Sequence, residues 1–248
     1  MEVALINLDH RIDRKENALK ELSKLNLPVV IISGVLCDDQ SNPSKYVTNQ
    51  VAGCWLAHMK ALEHSANAAK PTLIVEDDLL VSCKVKKIKK ILKNFESAEI
   101  DLLQIGFVTN SRTEALFRLG RDFISYMEIA FVRLCLSLPP EKIKTISRRV
   151  RFQEAYSRHR VRETLGSESV SENFLAGTHA YVVSPSFASI LKGLNDPILF
   201  SSDQFLMSLS AMKTFRIYRT SKSLMKQNLK LESDISANRF VMGGDNGK

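Results

Sequence analysis

The sequence predicts an α/β fold in which a mainly parallel sheet is flanked by helices. Two observations carry this expectation. From Val3 to Phe107, short apolar runs alternate with amphipathic helical stretches across short loops. Within that region, Thr72-Leu73-Ile74-Val75 ends abruptly in Glu76-Asp77-Asp78. Strands alternating with helices imply parallel neighbours whose crossovers cover both faces of a sheet. Acidic side chains at the tip of a buried strand lie where open α/β sheets build ligand crevices.

Taken in order, Val3 to Leu8 reads as a buried strand. Ile12 to Leu25 follows as a helix with Leu19, Leu22 and Leu25 on one stripe, after an Asp13 placed to cap it. Pro28 to Ile32 is a second strand, and Asp38 to Thr48 is a polar loop punctuated by Asn42-Pro43. Ala52 to Ala66 is a helix that places Val51, Trp55, Met59 and Leu62 near one face and leads into the acidic strand. Lys84 to Phe95 is a basic amphipathic helix, and Asp101 to Phe107 a further strand. The rhythm breaks between about 110 and 172, a basic stretch containing Pro139-Pro140, expected to be a helical insertion over the sheet edge. Regular structure resumes with a strand at Gly177 to Val183, helices at Pro185 to Leu194 and Asp203 to Met212, and a last strand at Phe215 to Tyr218. The expected organisation is one domain over 1–235, followed by a flexible tail, 236–248.

With 248 residues, 44% apolar content and a quarter of its residues charged, the chain has enough apolar material for a full core. No stretch approaches the ~20 apolar residues of a membrane span. Ile129 to Leu138 comes nearest and carries Arg133. The opening residues run straight into a strand pattern without the features of a secretory signal, so a cytoplasmic location is expected. Cys37, Cys54, Cys83 and Cys135 are scattered, with no C-x-x-C pair and no nearby histidine at zinc spacing, and are expected to be reduced and structural. The net charge of +8 is concentrated: Arg133 to Arg162 holds nine Lys and Arg against Glu141 and Glu154. Such a segment suits an anionic acceptor or peripheral contact with an anionic membrane, where each basic residue contributes roughly 1 kcal/mol. A solvated basic face is the plainer alternative. Few aromatics and no RNA-binding signature argue against nucleic acid as the partner.

Several constellations carry chemistry. Three adjacent carboxylates repel one another unless a cation intervenes, so Glu76-Asp77-Asp78 reads either as a divalent-metal site or as a solvated acidic turn. Asn7-Leu8-Asp9-His10-Arg11-Ile12-Asp13-Arg14 places two arginines where a strand meets a helix N-terminus. Arg11 and Arg14 can pair with a diphosphate while Asn7 bonds a base or ribose; a capped helix with solvated arginines is the alternative. In Gly53-Cys54-Trp55-Leu56-Ala57-His58, a glycine at a turn lets backbone approach a ligand. There His58 is equally consistent with a hydrogen-bonded interior histidine. Arg216 and Arg219 could reach phosphate or remain surface charges.

Together these segments resemble glycosyltransferase family 25, the lipopolysaccharide-biosynthesis galactosyltransferases and their collagen-modifying relatives. The matching pieces are Ile6-Asn7-Leu8 with Arg11 and Asp13-Arg14, then Gly53 to His58, then Val75-Glu76-Asp77-Asp78. Gly177-Thr178-His179-Ala180-Tyr181, Ser202-Asp203-Gln204 and Glu232-Ser233-Asp234-Ile235 follow in the same order. The resemblance implies a GT-A type, Rossmann-like fold and inverting transfer of a hexose, most often galactose from UDP-galactose, to a glycan or glycolipid hydroxyl. It also implies a divalent cation, usually Mn2+ with Mg2+ as the alternative.

Within that resemblance, Asp78 is the expected metal ligand, with Asp234 closing over the diphosphate or completing the metal shell unless it is merely an exposed tail carboxylate. Glu76 is expected to contact the ribose or a metal-bound water, and Asn7, Arg11, Arg14, Gly53, His58 and His179 to line the donor pocket. Inversion needs a carboxylate to take the acceptor proton. Asp203 is the first candidate, unless it only caps its helix, and Asp77 the second. A catalytically inactive binding protein, a basic nucleic-acid-associated protein and a nucleotidyltransferase are the rival readings.

Overall fold

Strand β1 (Glu2–Asn7) is buried along its whole length, and its alternating side chains divide between two cores. Val3 and Leu5 face one helical layer, Ala4 and Ile6 the other, as the two-residue repeat of a strand covered on both faces requires. Glu2 tolerates burial because its carboxylate accepts from Lys70 Nζ and meets His64 Nε2, each at 2.8 Å. The computed structural model describes residues 1–108, 162–212 and 214–228, and all structural statements refer to these. Most of the basic stretch, the tail and Asp234 fall outside them.

The remaining described elements are α1 (Ile12–Ser23), β2 (Val29–Ser33), α2 (Asn49–Ala68), β3 (Thr72–Glu76), β4 (Leu79–Val81), α3 (Val85–Glu96) and β5 (Leu102–Gly106). After the undescribed stretch come β6 (Arg162–Leu165), β7 (Glu168–Ser171), β8 (Ala180–Val183), α4 (Pro185–Leu191), α5 (Ser202–Met212), β9 (Ile217–Thr220) and β10 (Met225–Gln227). Eight strands follow the order β2-β1-β3-β8-β5-β9-β7-β6, with β10 joining β5 and β4 at the side. Leu22 of α1 and Ile88, Ile91 and Phe95 of α3 fill one face; Trp55 and Leu62 of α2, Phe187 of α4 and Phe205 of α5 fill the other. Truncating any such side chain to Ala is worth about 2–5 kcal/mol.

The expected mainly parallel sheet is corrected to a mixed one. β1 runs parallel to β2 and β3, and β5 to β9, but β8 lies antiparallel between β3 and β5. The helices α1 and α2 enforce parallel crossovers early in the chain. Between β5 and β8 the chain runs from 107 to 179, long enough to re-enter the sheet from either end. The expected helical insertion is also corrected over its last residues, because 162–171 form an antiparallel hairpin whose turn places Gly166 at φ +63°. That left-handed conformation suits glycine. Helix α2 begins at Asn49, three residues before the expected Ala52, so Gly53 lies inside the helix and not at a turn.

The parallel register places the functional end. Ile6 of β1 pairs with Glu76 of β3, and Asn7 with Ser33 of β2. The carboxyl ends of three adjacent strands therefore open on one crevice.

Candidate active site

A cavity of about 150 Å3 opens at these strand tips, walled by the end of β1, the loop 34–37, the first turns of α2, and Glu76-Asp77-Asp78. Each wall has a local cause. Gly53 packs so closely on the loop that an added Cβ would stand 2.2 Å from the Val35 carbonyl oxygen. The glycine's close approach is thus to the protein's own backbone. Trp55, two residues on, meets Phe205 edge-on at 5.2 Å and ties α2 to α5. Cys54 and His58 are one helical turn apart and face the cavity together.

The acidic triplet divides into two environments. Asp77 and Asp78 are buried in the turn between β3 and β4. Asn7 Nδ2 donates to Asp77 Oδ2 at 2.7 Å, and Arg14 Nη2 reaches Asp77 Oδ1 at 2.6 Å and Asp78 Oδ2 at 3.1 Å. Gln227 Nε2 donates to Asp78 Oδ2 at 2.8 Å. Asp78 Oδ1 is buried and, among the described residues, has no hydrogen-bond partner. Burial, then repulsion from Glu76, pushes the Asp78 carboxyl up to about 6; burial likewise raises Asp77, against the pull of Arg14.

Glu76 is held differently. Its Oε1 accepts from Thr178 Oγ1 at 2.8 Å and lies 3.3 Å from His58 Nε2. Burial would raise this carboxyl, but the hydrogen bond and charge of His58 bring it down to about 2. Burial would also discharge His58, yet Tyr181, Cys54 and Glu76 around it hold its proton well above the usual imidazole range. Tyr181 Oη stands 3.0 Å from His58 Nδ1 and stacks on the ring. Thr178 is positioned by the fully buried Gln104, whose amide donates to the Leu175 and Gly177 carbonyls and accepts from the Leu175 N–H.

Of the residues expected at the site, the cavity gathers Asn7, Arg14, Gly53, His58, Glu76, Asp77 and Asp78. Arg11 pairs instead with Asp13 on the surface at 3.2 Å. His179 is buried behind the site, its Nε2 3.2 Å from the Met225 carbonyl oxygen, where it anchors β10. Asp203 is buried at the start of α5, where its Oδ1 meets the Gln204 N–H and the Ser201 hydroxyl. It lies off the cavity wall, linked to it through the adjacent Ser202, whose hydroxyl is 3.0 Å from Thr178 Oγ1. Arg216 pairs with Glu99 on the surface, whereas Arg219 is buried against the Phe107 ring. Gln227 belongs to the site without having been expected there, because three residues of β10 give no periodic signal. Cys54 was expected to be structural only; its spacing of four from His58 on a helix was the available sign.

The profile of glycosyltransferase family 25 (LPS biosynthesis protein) matches residues 1–206 of the 248. The chain belongs to glycosyltransferase family 25. Comparison with curated proteins returns no match. The chain is thus a glycosyltransferase, a transferase acting on a nucleotide-sugar donor and a glycan acceptor. The Asn7 segment, the Gly53 to His58 stretch of α2 and the acidic triplet, all within the matched range, form three adjoining walls of one cavity at the strand tips. Among the described residues, no helix of this glycosyltransferase is long and apolar enough to cross a membrane.

Proposed function

We propose that this glycosyltransferase has a GT-A type fold and moves a hexose, galactose from UDP-galactose, to a hydroxyl of a glycan or glycoconjugate such as lipopolysaccharide core. We infer inversion at the anomeric carbon and dependence on Mn2+ or Mg2+. The observation that supports this reading is Asp78 Oδ1, a buried carboxylate oxygen on the cavity wall with no hydrogen-bond partner among the described residues. A buried polar atom in that condition is costly unless a ligand completes it. Oxygen donors in a tight turn suit a hard divalent cation, so the residues present fit the group. Asp78 would hold the ion, with Asp234 from the segment after β10 as second ligand. When bound, the ion supplies Lewis-acid stabilisation of the charge on the leaving diphosphate.

The protein's own groups supply the rest. Arg14, on the cavity wall, pairs with both Asp77 and Asp78, and Asn7 fixes Asp77 and frames the donor side. Arg11, which pairs with Asp13 outside the cavity lining but whose charge still acts on Asp77, would steer the anionic donor from a distance. In transfer, the acceptor oxygen bonds to the anomeric carbon from the face opposite the diphosphate. The carbon–oxygen bond to the diphosphate breaks with its electron pair, and the acceptor proton passes to a carboxylate. Asp203, buried beside the cavity and joined to its wall through Ser202 and Thr178, is our choice for that base on the family resemblance; Asp77, on the wall with both oxygens engaged by Asn7 and Arg14, is the second candidate. The basic stretch would meet either an anionic acceptor, such as a phosphorylated glycolipid core, or an anionic membrane surface.

The test is transfer from UDP-galactose with Mn2+, monitored by UDP release and product analysis. Asp78→Ala should abolish transfer in a folded protein, and Asp203→Asn should retain donor binding while losing turnover. Near-normal transfer by Asp78→Ala would remove the reading.

A further inference from the structure

One wall of the cavity carries a donor set that the transfer chemistry leaves unused. Cys54 Sγ, a His58 ring nitrogen and a Glu76 carboxylate oxygen all lie within 4.8 Å of one another. All three line the cavity. Cys54 and His58 project from the same face of α2, and Glu76 comes from the end of β3, so two rigid elements fix the cluster. His58 Nδ1 is taken by Tyr181, which leaves Nε2, at 3.3 Å from Glu76 Oε1, as the ligating nitrogen. Two donors each ~2.0 Å from a tetrahedral ion stand about 3.3 Å apart, and a thiolate at ~2.3 Å stands about 3.5 Å from either. The imidazole and carboxylate already have that separation, and the thiol lies within 4.8 Å of both.

Each donor also has an outer partner that orients it, as metal ligands usually do. Tyr181 Oη sits on the far nitrogen of His58, Thr178 Oγ1 donates to Glu76, and Ser202 Oγ lies 3.8 Å from Cys54 Sγ. Sulfur, imidazole and carboxylate together select zinc-like ions; magnesium and manganese prefer oxygen alone. Three protein donors with a fourth position open to a cavity is the pattern of a zinc site that accepts an exogenous ligand.

We propose that Cys54, His58 and Glu76 form a site for a thiophilic divalent cation of the zinc type in the wall of the donor cavity, separate from the oxygen-only position at Asp78. Binding displaces to solvent the proton shared by His58 Nε2 and Glu76, together with the thiol proton of Cys54. The open coordination position faces the cavity and accepts water or an anionic oxygen.

Cobalt(II) is the probe. Titration of Co2+ into the metal-stripped full chain should give one equivalent of a tetrahedral visible spectrum with a thiolate-to-cobalt charge-transfer band. Zn2+ should displace it, and excess Mg2+ should not. Cys54→Ser should remove the charge-transfer band. Tyr181→Phe should keep the band and weaken binding by about 10–100-fold. Asp78→Asn should leave the band in place, so this result stands apart from the fate of the transfer reading. A wild-type chain that binds Co2+ without the band, a band that survives Cys54→Ser, or a band lost in Asp78→Asn overturns the site.

Discussion

Glu76 and Asp78 are two residues apart on one strand end, yet the cavity drives their carboxyls in opposite directions. On the α2 side, Glu76 has a hydrogen-bonded imidazole and a threonine hydroxyl, and is brought to about 2. On the α1 side, Asp78 shares one guanidinium with Asp77, keeps one oxygen without a partner and rises to about 6. Residue type and local sequence are nearly the same; the difference lies in what the neighbouring elements bring. Divergent environments for neighbouring acids are how a site divides its roles. Glu76 is held in place by partners from other elements, whereas Asp78 keeps an oxygen open on the cavity, where we place the cation of the transfer reaction.

The largest effect that would break this contrast is on catalysis. Asp78→Asn should lower transfer by roughly 10³-fold or more, on the scale of losing a group that stabilises developing charge. Glu76→Gln should cost less turnover and more of the fold, because it removes the partner of a buried His58. UDP release under saturating donor reads the first comparison, and urea unfolding the second.

Next in size is Arg14, whose loss leaves two buried carboxylates without their shared cation. Arg14→Met should destabilise by about 3–5 kcal/mol in urea. Were the change within a few tenths of a kcal/mol, the pairing with Asp77 and Asp78 would carry no weight. Gly53→Ala should cost about 1–3 kcal/mol, since its Cβ meets a backbone carbonyl that cannot retreat cheaply, and should loosen the wall at 34–37.

The smallest effect sharpens the contrast through pH. Asp78 titrates at about 6 in the folded chain against an ordinary 3.8. The folded state therefore holds that proton more tightly. Stability is lost as pH rises from about 4 to 6, and a cost on the order of 2–3 kcal/mol persists above. Without metal, Asp78→Asn should thus raise the urea midpoint near pH 7.5 relative to wild type, with the gap closing toward pH 4. Glu76 has the opposite sign: its stabilisation is present above about 4.5 and lost as pH falls through about 2. An Asp78→Asn chain that is less stable than wild type at neutral pH would show that the orphaned carboxylate is not under strain.

Much of this arrangement is legible in the sequence. The order β1-α1-β2-α2-β3-α3-β5 follows from runs such as Val3 to Ile6 and from the Leu22 and Phe95 stripes, because burial on one face or two imposes a period. That the acidic tip, Asn7, Arg14 and His58 gather in one cavity was legible, since their segments end or begin elements at the strand tips. Direction was not: nothing in Ala180 to Val183 distinguishes an antiparallel strand from a parallel one. Strands of three residues, β4 and β10, are too short to show alternation, so the placement of Gln227 beside Asp78 was hidden. The Gly53 to His58 motif was visible, but its meaning depended on the Val35 carbonyl and on Glu76, which are distant in sequence. Arg11 and His179 show the reverse, since their segments point to the cavity while Asp13 and Met225 claim their side chains.

Manganese binding in the presence of UDP, followed by loss of the free-ion paramagnetic resonance signal, tests the role of Asp78 most directly. Wild type and Cys54→Ser should both take up one Mn2+ with UDP, and Asp78→Asn should take up none at the same concentrations. Equal uptake by Asp78→Asn would contradict the assignment of the cation to that carboxylate.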